Sequence, residues 1–242
     1  MISTTNAGLY TLQSLAIAQG FNKWIYELIK PWVKGSVLEL GSGIGNISNQ
    51  ILSKHTDVSL SDSNSEYLIY LRQHFQNQNS LANIFELDLI HPAFEVQYKH
   101  LYGQFNTLIA SNVIEHIEDD QLAITNALKL LKQGGTFIMV VPAHPSLFNR
   151  LDKQLDHYRR YTITRLDQCF KKRDGFILER KHFNVPGAIA WFITGTLLRF
   201  ESIKPWQVSA FEYIVPLSKW ITKHINLNFG LSILLVYKKA GS

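Results

Sequence analysis

The sequence predicts an α/β protein: a doubly wound, mostly parallel seven-stranded sheet, with a helical insertion between the last two strands. Three observations predict it. Short apolar runs alternate with helix-length segments from residue 36 to residue 142. A glycine turn, Gly41-Ser42-Gly43-Ile44-Gly45, stands where the first strand would hand over to a helix. Acids stand at the carboxyl ends of the first three predicted strands, where ligands of such sheets collect.

The elements follow in order. Apolar residues at 21, 24, 25, 28, 29 and 32 make one stripe of an amphipathic helix, and Gly35 breaks the chain after it. Residues 36–40 form a short apolar strand and 45–54 a helix; 57–61 form a second strand, followed by a helix through Tyr67 and Leu71. Strands are expected at 83–87 and 105–110. Asp119 or Asp120 caps the next helix, with Leu122, Ile124, Ala127, Leu128, Leu130 and Leu131 turned inward and Gly134-Gly135 as a left-handed stop. A β-branched fifth strand, 136–141, ends at Pro142.

Beyond it the rhythm changes. A polar and aromatic loop (143–161) leads to a helix at 162–172, a strand at 176–183, a helical insertion at 185–227 and a last strand at 231–238. The expected organisation is one domain over 1–242: a helical segment to 35, a ligand-binding core over 36–142, and substrate-side loops, cap and final strands over 143–242.

Composition narrows the class. With 46% apolar and 18% charged residues the chain is that of a folded protein. A single cysteine, Cys169, excludes an intramolecular disulfide and a thiolate-rich zinc site, and suits a reducing cytoplasm. No Lys or Arg precedes Leu15-Ala16-Ile17-Ala18, so a signal peptide is not expected and a cytoplasmic location is. The apolar stretch 185–198 has 14 residues, against roughly 20 for a membrane-spanning helix. It reads as a pocket cap or a peripheral membrane contact. Residues 1–150 carry 9 Lys and Arg against 12 Asp and Glu, and the rest 15 against 7. The basic half suits anionic or phosphorylated partners, or a solvated surface.

The glycine turn decides between nucleotides. A dinucleotide fingerprint needs a glycine at 46, where Asn46 stands. Glu39, two residues before the turn, opposes a pyrophosphate and favours a cationic amino-acid group. Asp62, 17 residues after Gly45, is placed to hold two ribose hydroxyls, and Asp88 to meet an adenine amine. The plainer readings are an exposed strand-end acid for Glu39, a helix cap for Asp62 and a turn residue for Asp88.

Together the loop and acids resemble the class I methyltransferases that use S-adenosylmethionine. That resemblance implies a cofactor site of Glu39, Gly41, Ser42, Gly43, Gly45, Asp62 with Ser63, and Asp88 with Leu89. Asn112 and Val113, in Ser111-Asn112-Val113-Ile114-Glu115-His116-Ile117, would close over the methionine end. A narrower group of methyltransferase-like proteins, of types 11 and 12, is similar through Phe21-Asn22-Lys23-Trp24-Ile25-Tyr26-Glu27, His157-Tyr158-Arg159-Arg160-Tyr161 and Phe229-Gly230-Leu231-Ser232. Its members often accompany glycosyltransferases acting on lipid carriers, which implies a glycan, lipid-linked or other partly apolar acceptor. Asp156 departs from that pattern, where glycine is more common before the histidine.

An alcohol acceptor needs a base titrating near the working pH. His157 is the preferred candidate, then His116; His144, Tyr158, Arg159, Arg160 and Tyr161 are expected at the acceptor, unless the segment is a salt-bridging turn. No histidine pair has metal spacing, and no metal is expected. Nucleic-acid methylation lacks support, because Asn112 is followed by Val113-Ile114 rather than by two prolines, and no RNA-binding module is visible. A nicotinamide oxidoreductase and a non-catalytic cofactor binder remain as rivals.

Overall fold

The computed structural model describes residues 17–241 apart from 201 and 226. Among them seven strands form one sheet: β1 (Val37–Leu40), β2 (Val58–Asp62), β3 (Leu81–Glu86), β4 (Phe105–Ser111), β5 (Leu131–Pro142), β6 (Gly175–Phe183) and β7 (Ser232–Lys239), in the order β3-β2-β1-β4-β5-β7-β6. The first five pair in parallel, and β7 runs antiparallel between β5 and β6. The chain leaves β1 toward β2 and later returns to β4 on its other side, so the connections part at the carboxyl end of β1 and leave a crevice there.

The sheet is covered on both faces, so every residue of β1 is buried, Glu39 included. Leu38 and Leu40 enter one core with Phe137, Met139, Tyr161 and α5 (Asp120–Leu130). Val37 enters the other, with Ile109, Val140, Phe183 and α1 (Gln19–Ile29). α1 lacks a capping side chain of its own. Its first amides, on Gly20 and Phe21, instead donate to the Glu212 carboxylate at 2.7 and 3.0 Å. That acid lies on the helix Pro205–His224, so the insertion is tied to the N-terminal helix.

The remaining α-helices among the described residues are α2 (Ser48–Leu52), α3 (Ser65–Phe75), α4 (Phe94–Gln97), α6 (Arg150–Gln154), α7 (Ile163–Phe170), α8 (Val185–Trp191) and α9 (Pro205–His224), with a π-helical segment Phe192–Leu197 after α8 and short 3-10 turns such as Ile114–His116. α3 is capped by Asn64, α5 by Asp119 and α7 by Thr162, each through its side-chain oxygen. No helix of the described residues is long and apolar enough to cross a membrane.

Three local expectations are corrected. The glycine turn runs on as turns to Ile47, so the helix after it begins at Ser48 rather than Gly45. α5 ends at Leu130, before Gly134-Gly135, because Leu131 already pairs with Phe105 in the sheet. Gly134, at φ +70°, instead shapes an irregular start of β5, where its N–H donates to the Ala240 carbonyl at 2.9 Å. Leu122 faces outward, 41% exposed, since the inner stripe of α5 runs through Ala123, Ile124, Ala127 and Leu130.

Candidate cofactor and acceptor site

The glycine turn leaves β1 with φ of +61°, +55° and +85° at Gly41, Gly43 and Gly45. A Cβ on Gly41 would lie 2.7 Å from Val113 Cγ2, and one on Gly45 would run into the Phe75 ring. Glycine is thus required both for the backbone and for what packs on it. Ser42 fastens the turn to β2: its N–H donates to the Ser61 carbonyl at 2.8 Å and its Oγ accepts from the Ser61 N–H at 3.3 Å.

Two carboxylates converge on this turn. Asp62, at the end of β2, accepts the Gly43 N–H at 2.8 Å on one oxygen and the Asn64 N–H at 2.9 Å on the other. It is 8% exposed; burial pushes its carboxyl up, against those backbone donors. Glu39 is 3% exposed and accepts from Ser48 Oγ at the start of α2. Burial raises its carboxyl to about 7, despite the hydrogen bonds from Ser48 and Ser42. Each carboxylate keeps unused lone pairs. This set of acceptors, with backbone that a ligand can approach closely, fits a nucleoside carrying an ammonium group.

The other expected cofactor residues are spread around it. Ser63 is exposed beside Asp62. Asp88 is half-buried and accepts the Ile90 N–H at 2.9 Å, so it also forms the turn that the plainer reading assigned to it. Leu89 is buried, its carbonyl taken by Asn126 at 2.8 Å. Asn112 is exposed at φ +54°, and Val113 packs over Gly41. Two open surface clefts lie elsewhere, one at the amino ends of the strands beside Gly35, Asp57 and Lys132, the other between α7 and β6. Neither touches Glu39 or Asp62.

The loops after β4 and β5 meet at the same end of the sheet. Ala143 and Tyr161 bridge, and the Tyr158 N–H donates to the Glu115 carbonyl at 2.8 Å. His116 and His157 lie edge to face with centroids 4.6 Å apart. His157 Nδ1 is 3.0 Å from Asp152 Oδ1. His116 keeps an exposed edge, yet desolvation in the crevice, then the neighbouring His157, hold it below the ordinary histidine range. Glu115 beneath them is fully buried and raised to about 7 by that burial.

The expected acceptor segment divides in two. Arg160 is buried, donating to Asp152 at 2.7 Å and to the Ala143 carbonyl at 3.2 Å, with Trp191 against its guanidinium. Arg159 donates to the carbonyls of Ile117 and Glu118 and pairs with Asp120. Tyr161 lies wholly inside the core, donating to Asp120 at 3.1 Å. These three are spent on joining the loops, the salt-bridging alternative. Tyr158 is 54% exposed, with the Arg159 guanidinium over its ring at 5.6 Å. His144 sits apart, at φ +59°, stacked between His182 and Phe229 with its Nε2 unpartnered. Sequence reasoning missed Glu115, Ser48 and Asp120; only the Glu115-His116 juxtaposition in one loop signalled any of them.

Comparison with known proteins agrees with this arrangement. Residues 38–137 match the family model described as a methyltransferase domain. The chain is 24% identical over 145 residues to "Probable polyketide synthase 42" of Dictyostelium discoideum, covering 51% of this chain but only 5% of that protein. A SAM-dependent methyltransferase from Archaeoglobus fulgidus superposes with TM-score 0.58 at 14% identity, covering 91% of this chain and 94% of that one. The YcgJ protein of Bacillus subtilis gives 0.56 at 13% identity, covering 93% and 99%. The CurJ carbon methyltransferase gives 0.58 at 13% identity, covering 93% of this chain, which spans about half (54%) of that one. The structural likenesses establish the fold, and the family match falls on the strands that carry the glycine turn and both carboxylates. Over residues 38–137 the chain is similar to a methyltransferase domain, and with the fold this supports S-adenosylmethionine as its cofactor.

Proposed function

We propose that this protein moves a methyl group from S-adenosylmethionine to a hydroxyl or amine of a small molecule, a glycan, lipid-linked or other partly apolar metabolite. The observation that carries the reading is the convergence of Glu39 and Asp62 on the glycine turn, with Asp62 bonded to the Gly43 amide. Glu39 receives the ammonium group of the methionine part. Asp62, with Ser63 beside it, accepts from the ribose hydroxyls, and Asp88 with Leu89 borders the adenine. Ser42 holds the turn; Gly41, Gly43 and Gly45 let the ligand lie against the backbone; Asn112 and Val113 close over the methionine end. Because Glu39 is nearly covered, binding displaces side chains packed on the turn, Val113 among them.

Bound S-adenosylmethionine supplies an electrophilic methyl group. The chain must align the acceptor with it and remove the acceptor's proton. In this reading His157 takes that proton, supported by its contact from Nδ1 to Asp152, which leaves Nε2 to accept. His116 stands against it, and the Tyr158 hydroxyl and His144 Nε2 are the groups of the acceptor loop offered to the acceptor. Arg159, Arg160 and Tyr161 position that loop. Exposed Phe192, Leu197 and Leu198 of the insertion support an acceptor with an apolar part.

Calorimetry tests the cofactor. S-adenosylmethionine or its demethylated product should bind at about micromolar Kd and NAD should not; the opposite pattern overturns the reading. Asp62→Ala should weaken binding by about tenfold or more. Full activity of His157→Ala on a proven substrate would remove His157 as the base.

A further inference from the structure

We propose that Glu115, His116 and His157 form a binding site for one divalent transition-metal ion where the loops after β4 and β5 meet. A carboxylate oxygen and one nitrogen of each ring all lie within 4.8 Å of one another. Metal bonds of about 2.1 Å would draw such donors to roughly 3.4 Å, a change that side-chain rotation can supply.

Two further observations point to a cation. Glu115 is completely buried, and neither of its carboxylate oxygens has a hydrogen-bond partner. Such a group is costly unless something positive meets it. Arg160 lies near but spends its hydrogen bonds on Asp152 and the Ala143 carbonyl. The surroundings of His157 are also those of a ligand. Asp152 takes its Nδ1 and is itself held by Arg160 and the Trp191 indole, which orients the ring and leaves Nε2 as the donor.

Two imidazoles and one carboxylate suit zinc, manganese, cobalt or ferrous iron rather than magnesium or calcium. Three protein donors leave a coordination position open. The ion site rests on this geometry alone. Its use rests on the methyltransferase reading: an acceptor hydroxyl held at the open position loses its proton to solvent water more readily. The resulting oxygen takes the methyl as the sulfonium sulfur keeps the bonding pair and leaves neutral, and His157 is then a ligand instead of the base.

The test uses the tag-free full chain, stripped with chelator and free of cofactor. Titration with Zn2+ should show one ion per chain, and Co2+ should give visible absorption of a nitrogen- and oxygen-bound ion. Glu115→Gln and His157→Asn should each weaken Zn2+ binding by about tenfold or more. His116→Asn, at a partly exposed position, serves if either of those fails to fold by circular dichroism. Absence of saturable Zn2+ binding, or unchanged binding in a folded His116→Asn/His157→Asn variant, overturns the proposal. S-adenosylmethionine is titrated into the same preparation. Loss of that binding with Zn2+ binding intact sinks the methyltransferase reading and leaves the ion site standing, and the reverse result separates them equally.

Discussion

A carboxyl raised to about 7 by burial is partly protonated at neutral pH, and Glu39 must lose that proton to meet an ammonium group. Affinity for S-adenosylmethionine should therefore rise as pH climbs from about 5 to about 8 and then level off. Calorimetry on Glu39→Gln should show weaker binding with that slope gone; an unchanged slope would mean that another group titrates. The folding linkage has the opposite sense. A native carboxyl titrating above its unfolded value binds more protons than the unfolded chain does. The ligand-free fold thus loses stability from Glu39 as pH rises from about 4.5 to about 7. Asp120 runs the other way. Burial pushes its carboxyl up, but the hydrogen bond from Arg165 and the charges of Arg165 and Arg159 outweigh that and hold it low. Its contribution is present above the unfolded pKa and lost as pH falls through the folded value. At this scale the sequence was legible where one strand end carries one acid. Glu39 and Asp62 needed only their places after apolar runs to be found.

Elements were legible where periodicity was strong, and less so where a distant contact decides. The stripe at 24, 25 and 29 does face the core. The stop of α5 falls earlier than its glycines suggest because Leu131 leaves the helix to pair with β4, a choice made by residues outside its own segment. The acceptor loop shows the same limit. Its crowding of a histidine, two arginines and two tyrosines was visible, but Tyr161 meets Asp120 across 41 residues and Arg160 meets Asp152 across the α6 turn. Asp156 adopts φ +56°, the left-handed conformation that a glycine would take there, so the departure from the related sequences keeps the turn. The two arginine pairings should differ sharply in worth. Arg160→Met strands Asp152 in the interior and should cost about 3–5 kcal/mol. Arg165→Met, at a half-exposed side chain on Asp120, should cost under about 1 kcal/mol. Urea unfolding of the two variants checks the order, and equal losses would contradict it.

For the whole molecule, the parallel half of the sheet supplies the cofactor turn while the antiparallel half anchors the insertion. A ligand gripping β1 and β2 together binds only the folded chain. S-adenosylmethionine at about 100 times its Kd should stabilise the fold by about 2.7 kcal/mol, a Tm rise of roughly 5–10 °C in a chain of this size. A thermal-shift series with NAD as control checks it; a shift with NAD instead would return the dinucleotide reading. The fold was legible because strands and helices alternate locally, whereas the pairing of residues 111–120 with 143–161 is a property of the assembled sheet. That pairing has a consequence for recombination. The buried ties from Glu115 to Tyr158 and from Asp120 to Tyr161 make the two loops a single heritable unit. Grafting either loop alone into another scaffold transplants half of a lock, and changes of acceptor should travel between relatives only when both loops are exchanged together.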